Sequence, residues 1–120
     1  MHTKVFCYYN LHKKCFSVKA LSGPNKGRVI AHSNTVMLSN VQFRVSEAGR
    51  QRVLREKRKN VHAGVVGEYF ACLPLEHTEH MSEATYNPYK YSQFVDKATE
   101  VPLESAKVAY LDHRKVYYII

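Results

Sequence analysis

The segment from Ser46 to Gly64, SEAGRQRVLREKRKNVHAG, holds many of the residue types with which this chain could do chemistry. Between Arg50 and Lys59 it carries six cations and a single acid, Glu56. On a helix such a cluster repels itself unless counterions or phosphates neutralise it. The pattern therefore favours contact with a polyanion. The alternative interpretation is a solvated helix face whose arginine stems cover neighbouring apolar surface.

The whole chain is cationic as well, with a formal net charge of +8 and a pI near 9.5. A balance of this kind favours association with nucleic acid, an acidic membrane surface or an acidic protein, and nucleic acid is the commonest of the three. We expect phosphate contacts from the basic run and from one lysine near the N-terminus: Arg50, Arg52, Arg55, Arg58, Lys59 and Lys13. These contacts would set affinity and its salt dependence, while sequence choice would come from elsewhere.

Tyrosines interleaved with the basic residues supply a second candidate contact. In TYNPYKY, Asn87 and Pro88 favour a turn that could hold Tyr86 and Tyr89 exposed. Unpaired bases stack on such rings. The competing interpretation is ordinary packing, because strand tyrosines usually contact their cross-strand neighbours.

Histidines allow a catalytic hypothesis on the same scaffold. His12 lies in a basic loop and His62 follows the basic run, with Lys59 available to stabilise negative charge. Two imidazoles and an ammonium suffice for RNA cleavage without a metal, since one histidine removes the 2′-hydroxyl proton and the other protonates the leaving oxygen. The alternative is that both histidines are surface or structural residues, so the sequence does not decide whether this chain is an enzyme.

CLPLEHTEH is a candidate metal site, because Cys72, His77 and His80 stand close together in it beside two glutamates. Zinc accepts all of these ligand types, but the spacing matches no paired CxxC or HExxH pattern. We therefore expect no metal and no cofactor. Three scattered cysteines without a leading apolar segment indicate a reducing cytoplasmic setting, and no apolar run is long enough to cross a membrane.

The elements that must position these residues are mostly strands. KVFCYY and CFSVKAL form a predicted hairpin around NLHKK, and RVIAH and TVMLSNVQFRV predict further strands with a tight turn or bulge at Ser39 and Asn40. NVHAGVVGEYFACL predicts another strand, and AKVAYLDHRKVYYII predicts a hairpin at the end of the sequence. Between them we expect a long surface loop over PLEHTEHMSEATYNPYKYS and one or two helical turns at SQFVDKA.

One helix is predicted, from Glu47 to about Arg58. Ser46 is a suitable N-cap and Glu47 a favourable first-turn acid, whereas Gly49 lowers the helix propensity. The apolar stripe is thin, so this helix should lie on the sheet by one edge. Residues 1–120 then form a single α+β domain, a mainly antiparallel sheet of hairpins with one principal basic helix packed on it.

Three segments, YYNLHKKCFSV, FRVSEAGRQRVLREKRKNVHAG and TYNPYKYSQFV, resemble small basic proteins encoded by tailed bacteriophages and prophages. The resemblance spans most of the chain and implies a phage protein acting in the bacterial host cytoplasm, but it assigns no activity to any residue. Three hypotheses follow. The first is a nucleic-acid-binding protein, the second a metal-independent nuclease using His12 and His62, and the third a phage inhibitor of a host or defence protein.

Overall fold

The computed structural model describes residues 3–71 and 74–120, and within them the chain is built almost entirely of strands. In chain order the strands are Lys4–Asn10 (β1), Cys15–Ala20 (β2), Val29–Ser33 (β3), Thr35–Val45 (β4), Ala63–Ala71 (β5), Ser82–Thr85 (β6), Val95–Asp96 (β7), Ser105–Asp112 (β8) and Lys115–Ile119 (β9). The helix α1, Glu47–Glu56, lies between β4 and β5. It is the only α-helix in these two ranges, and it is too short and too polar to span a membrane.

All nine strands belong to one antiparallel sheet with the order β3-β2-β1-β5-β4-β8-β9-β6-β7. The predicted α+β arrangement, with a principal helix packed on a sheet of hairpins, is therefore wrong. The physical reason is the thin apolar stripe of α1, which buries only Val53 and so cannot supply half of a core.

The sheet coils back on itself because of one short connection. Only Asn34 separates β3 from β4, although four interstrand steps lie between these strands in the sheet order. In a flat sheet four steps would amount to about 19 Å, whereas two residues of extended chain reach about 7 Å. The backbone N–H of His113 in the β8–β9 turn donates to the carbonyl of Asn34 at 3.1 Å, which extends the β4–β8 ladder to this connection.

The core fills the inside of this coil. Strand side chains alternate between the two faces, and the inner face carries the β-branched and aromatic residues. The central part of the cluster comprises Val5, Cys7, Phe16, Val18, Val36, Leu38, Val41, Phe43, Val65, Ala84, Phe94, Leu103, Ala109, Leu111 and Tyr118. No residue of the helix belongs to it, so α1 lies beside the main core as an appendage.

Local sequence signals locate most elements correctly. The predicted hairpins are confirmed as β1–β2 and β8–β9, and Asn40 forms the predicted irregularity, with φ of 49° and a register shift between β4 and β5. The predicted structureless loop is wrong at β6. The helical turns expected at SQFVDKA are also wrong, because β7 forms there. Both are short strands that exist only because β9 and β6 offer edges to pair with.

A buried polar contact fastens this last part of the sheet. The Tyr118 hydroxyl on β9 donates to Asp96 Oδ2 on β7 at 2.5 Å, and both residues are buried. The other carboxylate oxygen of Asp96 accepts from the backbone N–H groups of Ala98 and Thr99. These bonds hold the pKa of Asp96 below its ordinary value, with the Tyr118 hydroxyl as the largest cause. Burial, together with the nearby carboxylate, raises the pKa of Tyr118 to about 12.

Replacing Tyr118 with Phe should lower the free energy of unfolding by about 1.5–3 kcal/mol, because Asp96 loses a charge-assisted bond in a buried place. The phenol contributes stability below its unfolded pKa of about 10, and this contribution is lost as pH rises toward 12. Urea unfolding between pH 7 and 12 should therefore show a weaker alkaline decline in the variant. Tyr117→Phe is the matched control, since no hydrogen bond of its hydroxyl occurs in the described ranges. Equal losses in both variants would contradict the prediction.

Candidate nucleic-acid interface

The helix that carries the basic run begins as predicted. Ser46 has extended backbone angles, and its Oγ accepts from the N–H of Gly49 at 3.2 Å, which confirms it as the N-cap. Glu47 stands in the first turn, and its carboxylate accepts from Gln51 and Arg50. These two bonds, with that from Gln51 the larger cause, lower the pKa of Glu47.

Gly49 is required by close packing, which its low helix propensity in the sequence does not indicate. A Cβ at this position would lie 2.5 Å from Cβ of His62. The backbone N–H of Ser46 also donates to the carbonyl of His62 at 2.7 Å. The chain that leaves the helix therefore returns to the helix N-terminus. Glycine is the residue that lets the returning segment and the first helical turn touch.

Arg50 is the cation of the basic run that the fold uses internally. Its Nε donates to the backbone carbonyls of Pro88 and Tyr91 at 3.0 and 2.9 Å, and its Nη1 pairs with Glu47 at 3.1 Å. Only 17% of its side-chain surface is exposed. Arg50 thus ties the helix to the TYNPYKY loop and is poorly placed for a phosphate. No sequence signal marks these carbonyl partners, because they lie about 40 positions away.

The remaining cations of the run fall into two groups. Arg52 pairs with Glu56 at 3.0 Å, and Arg55 approaches the same carboxylate at 3.9 Å, so one acid is shared between two exposed arginines. The helix ends at Glu56, two residues earlier than predicted, and Lys57 adopts the left-handed conformation as its C-cap. The second group lies beyond it and comprises Lys57, Arg58 and Lys59. These three are exposed and have no ion pair within the described ranges.

A shallow depression of about 270 Å³ marks this second group. Arg52, Glu56, Arg58, Lys59 and Asn60 line it. Three of its five lining residues are cationic and one is acidic. An anion of phosphate size can therefore meet several N–H donors at this position without a change of backbone.

Lys13 comes to the same end of the sheet from a different part of the chain. β1 and β5 are hydrogen-bonded neighbours, and their register pairs Cys7 with Val65. Beyond that pair, β1 runs on to the β1–β2 turn, and the segment that enters β5 comes from the same direction. We call Lys13, Lys57, Arg58 and Lys59 the basic end of the sheet. Two apolar side chains in these segments, Leu11 and Val61, are 45% and 51% exposed.

The two candidate catalytic histidines share this end of the sheet but differ in their surroundings. His12 is exposed in the β1–β2 turn, and its ring has no hydrogen bond in the part of the chain that the structure describes. His62 Nδ1 lies 2.8 Å from the carbonyl of Asn60, and Nε2 lies 2.6 Å from the hydroxyl of Tyr86. Because a carbonyl only accepts, Nδ1 carries a proton, and in the neutral ring Nε2 accepts from the phenol. The lone pair that a general base needs is thus engaged.

The two tyrosines chosen from TYNPYKY have unequal exposure. Tyr86 is half-buried. Its ring stacks on Phe94 with centroids 5.3 Å apart, and burial raises its pKa to about 12. Tyr89 is 61% exposed, and Asn87 Oδ1 fixes its backbone by accepting from its N–H at 2.9 Å. Since Arg50 binds the flanking carbonyls, Tyr89 is held near the basic helix, and its ring makes no aromatic contact within the described ranges.

The CLPLEHTEH segment is only partly described. Cys72 lies outside the described residues, and His77 makes an exposed contact with Glu79 at 3.4 Å. Within residues 3–71 and 74–120 no three His, Cys, Asp or Glu side chains are grouped closely enough to hold a metal.

Comparison with known proteins gives one family. Residues 1–119 match the family model described as Mycobacterium phage L5 gene 82 protein. A curated relative, the Gene 82 protein of Mycobacterium phage L5, is 44% identical over 114 residues, which cover 90% of this chain and 89% of the relative. No solved structure matches the chain.

Substituting Gly49 with Ala should destabilise the protein, although alanine has the higher helix propensity by about 1 kcal/mol. The new methyl would overlap His62, and overpacking of this kind costs about 1–3 kcal/mol. Thermal unfolding followed by circular dichroism measures the change. Gln51→Ala on the exposed helix face is the control and should shift stability by no more than about 0.5 kcal/mol. A stabilised Gly49→Ala protein would show that the helix and the returning segment do not touch.

Proposed function

The chain belongs to the family of the Mycobacterium phage L5 gene 82 protein, and we propose that it binds the phosphate backbone of nucleic acid through the basic end of the sheet. The observation that carries the proposal is that two separate segments, the β1–β2 turn with Lys13 and residues 57–59 after the helix, carry exposed cations that have no ion pair within residues 3–71 and 74–120. The proposed setting is the cytoplasm of the bacterial host, where the nucleic acid of an infecting phage is read and copied.

Electrostatics support this assignment. Four cations at one end of a sheet repel each other, and in the described ranges no acid pairs with them. A polyanion removes that repulsion and releases its own condensed counterions, so binding gains from both effects. Arg52 and Arg55 can also bind phosphates if they give up their contacts with the shared Glu56. Arg50 meanwhile keeps the TYNPYKY loop in place.

A second candidate function is the inhibition of a host protein. Leu11 and Val61 are exposed among the cations, and an apolar centre with a charged rim is the usual anatomy of a protein interface. In this alternative the basic end docks on an acidic surface of the partner. A stoichiometric host protein that stays bound after nuclease treatment would favour it.

Reversing the charge at two positions of the basic end should weaken nucleic-acid binding strongly. The double variant Arg58→Glu with Lys59→Glu removes two phosphate contacts. From counterion release this predicts about 25-fold weaker binding to single strands at 0.1 M salt, and a salt slope smaller by about 1.4. Fluorescence anisotropy with labelled single-stranded RNA, single-stranded DNA and duplex DNA across a salt series measures both quantities.

The matched control is Lys26→Glu with Arg28→Glu, which makes the same charge change in the β2–β3 connection at the opposite end of β2. It should lower affinity far less. Equal losses in the two double variants would mean that net charge alone drives association. Salt-insensitive binding, or no binding to any of the three ligands, would overturn the proposed function.

A further inference from the structure

A second depression lies at the mouth of the coiled sheet, and its lining shares no residue with the depression beside the basic run. It has a volume of about 220 Å³ and opens between one wall formed by β1, β2 and β5 and another formed by β6 and β9. Aromatic rings from both walls line it, Tyr9 and Phe16 on one side and Tyr86 and Phe94 on the other. We call this depression the aromatic cleft.

The size of the cleft limits what it can hold. Sites for drug-sized ligands occupy about 300–1,000 Å³, so this cleft suits a single flat ring system. Glu83 is the one carboxylate in its lining, and it also contacts Lys97 at 3.4 Å. A carboxylate repels a phosphate but accepts hydrogen bonds from the N–H groups on the edge of a base. The chemistry of the cleft therefore fits a neutral aromatic ring with N–H donors.

An exposed cation lies over one aromatic ring of the cleft. The guanidinium carbon of Arg114 lies 4.8 Å from the centroid of the Tyr9 ring. Arg114 is exposed in the two-residue β8–β9 turn and has no ion pair in the described ranges. Phe16 packs against Tyr9 at an interplanar angle of 86° with centroids 5.4 Å apart, which helps to fix the ring beneath the guanidinium.

We propose that the aromatic cleft binds one unpaired nucleobase, which displaces the Arg114 guanidinium and stacks on Tyr9. The proposal rests on the proposed function, because the basic end would hold the phosphate backbone from which the base projects. An exposed cation–π contact shifts an equilibrium by about two- to fivefold, whereas stacking of a base on an aromatic side chain shifts it by about 5- to 150-fold. The exchange therefore favours the base.

The structure connects the cleft directly to the basic end. Tyr86 lines the cleft, and its hydroxyl bonds His62, only three residues after Lys59. The His62–Tyr86 contact thus links the segment that follows the basic run to the lining of the cleft. Bases in a duplex are stacked and paired and cannot enter a cleft of this shape without being extruded. The ligand class that this predicts is single-stranded nucleic acid.

Two substitutions of Tyr9 test the proposal. Tyr9→Leu removes the ring and should weaken binding of single-stranded DNA and RNA by about 5- to 150-fold, with duplex DNA binding unchanged. Tyr9→Phe keeps the ring and should bind within about twofold of the unaltered protein. Thermal unfolding of both variants verifies that they fold. Normal salt-dependent binding that Tyr9→Leu leaves unchanged would overturn the cleft proposal and leave the proposed function standing.

Photocrosslinking with the unaltered chain tests the same contact if Tyr9→Leu does not fold. A single-stranded DNA oligonucleotide carrying 5-bromouracil is the probe, and the crosslinked peptide is identified by mass spectrometry. The expected crosslinks lie on Tyr9 or Tyr86. Crosslinks confined to the helix and the β1–β2 turn would overturn the cleft proposal. Failure of the probe to bind at all would overturn both proposals.

Discussion

The one-residue connection at Asn34 is the constraint on which the rest of the architecture depends. The end of β3 and the start of β4 must lie close together, although four interstrand steps separate these strands in the sheet order. The sheet therefore cannot be flat. Coiling turns one face of the sheet inward and creates an interior that is filled mostly by strand side chains, with Phe94 and Leu103 added from the connections around β7. The same coiling brings the β8–β9 turn, with Arg114, over the end of β1, where the aromatic cleft forms.

The helix has a different role from the one its length and position in the sequence indicate. It buries little, so its stability depends on its contacts with the returning segment and the TYNPYKY loop. Gly49 allows the close contact with the returning segment because it has no side chain. Arg50 makes the contact with the loop because its Nε donates to backbone carbonyls. The cations of the basic run that have no such structural contact are those at its C-terminal end.

The basic residues therefore differ in how available they are for binding, and composition alone does not show these differences. A cation that donates to buried carbonyls stabilises the fold, a cation that shares a carboxylate is available at an electrostatic cost, and an unpaired exposed cation is available at once. Arg50, Arg55 and Arg58 represent these three conditions within nine residues. The His62–Tyr86 contact likewise joins two residues that were candidates for separate activities.

By itself the sequence determined the features that depend on near neighbours along the chain. These are the N-cap at Ser46, the two hairpins, the irregularity at Asn40 and the excess of positive charge, because turn geometry, capping and side-chain periodicity act over a few residues. Only the tertiary structure decided the sheet order, the short strands β6 and β7, and which cations are free. Those outcomes depend on which distant strand supplies an edge, a carbonyl or a carboxylate, and such partners leave no local pattern in the sequence.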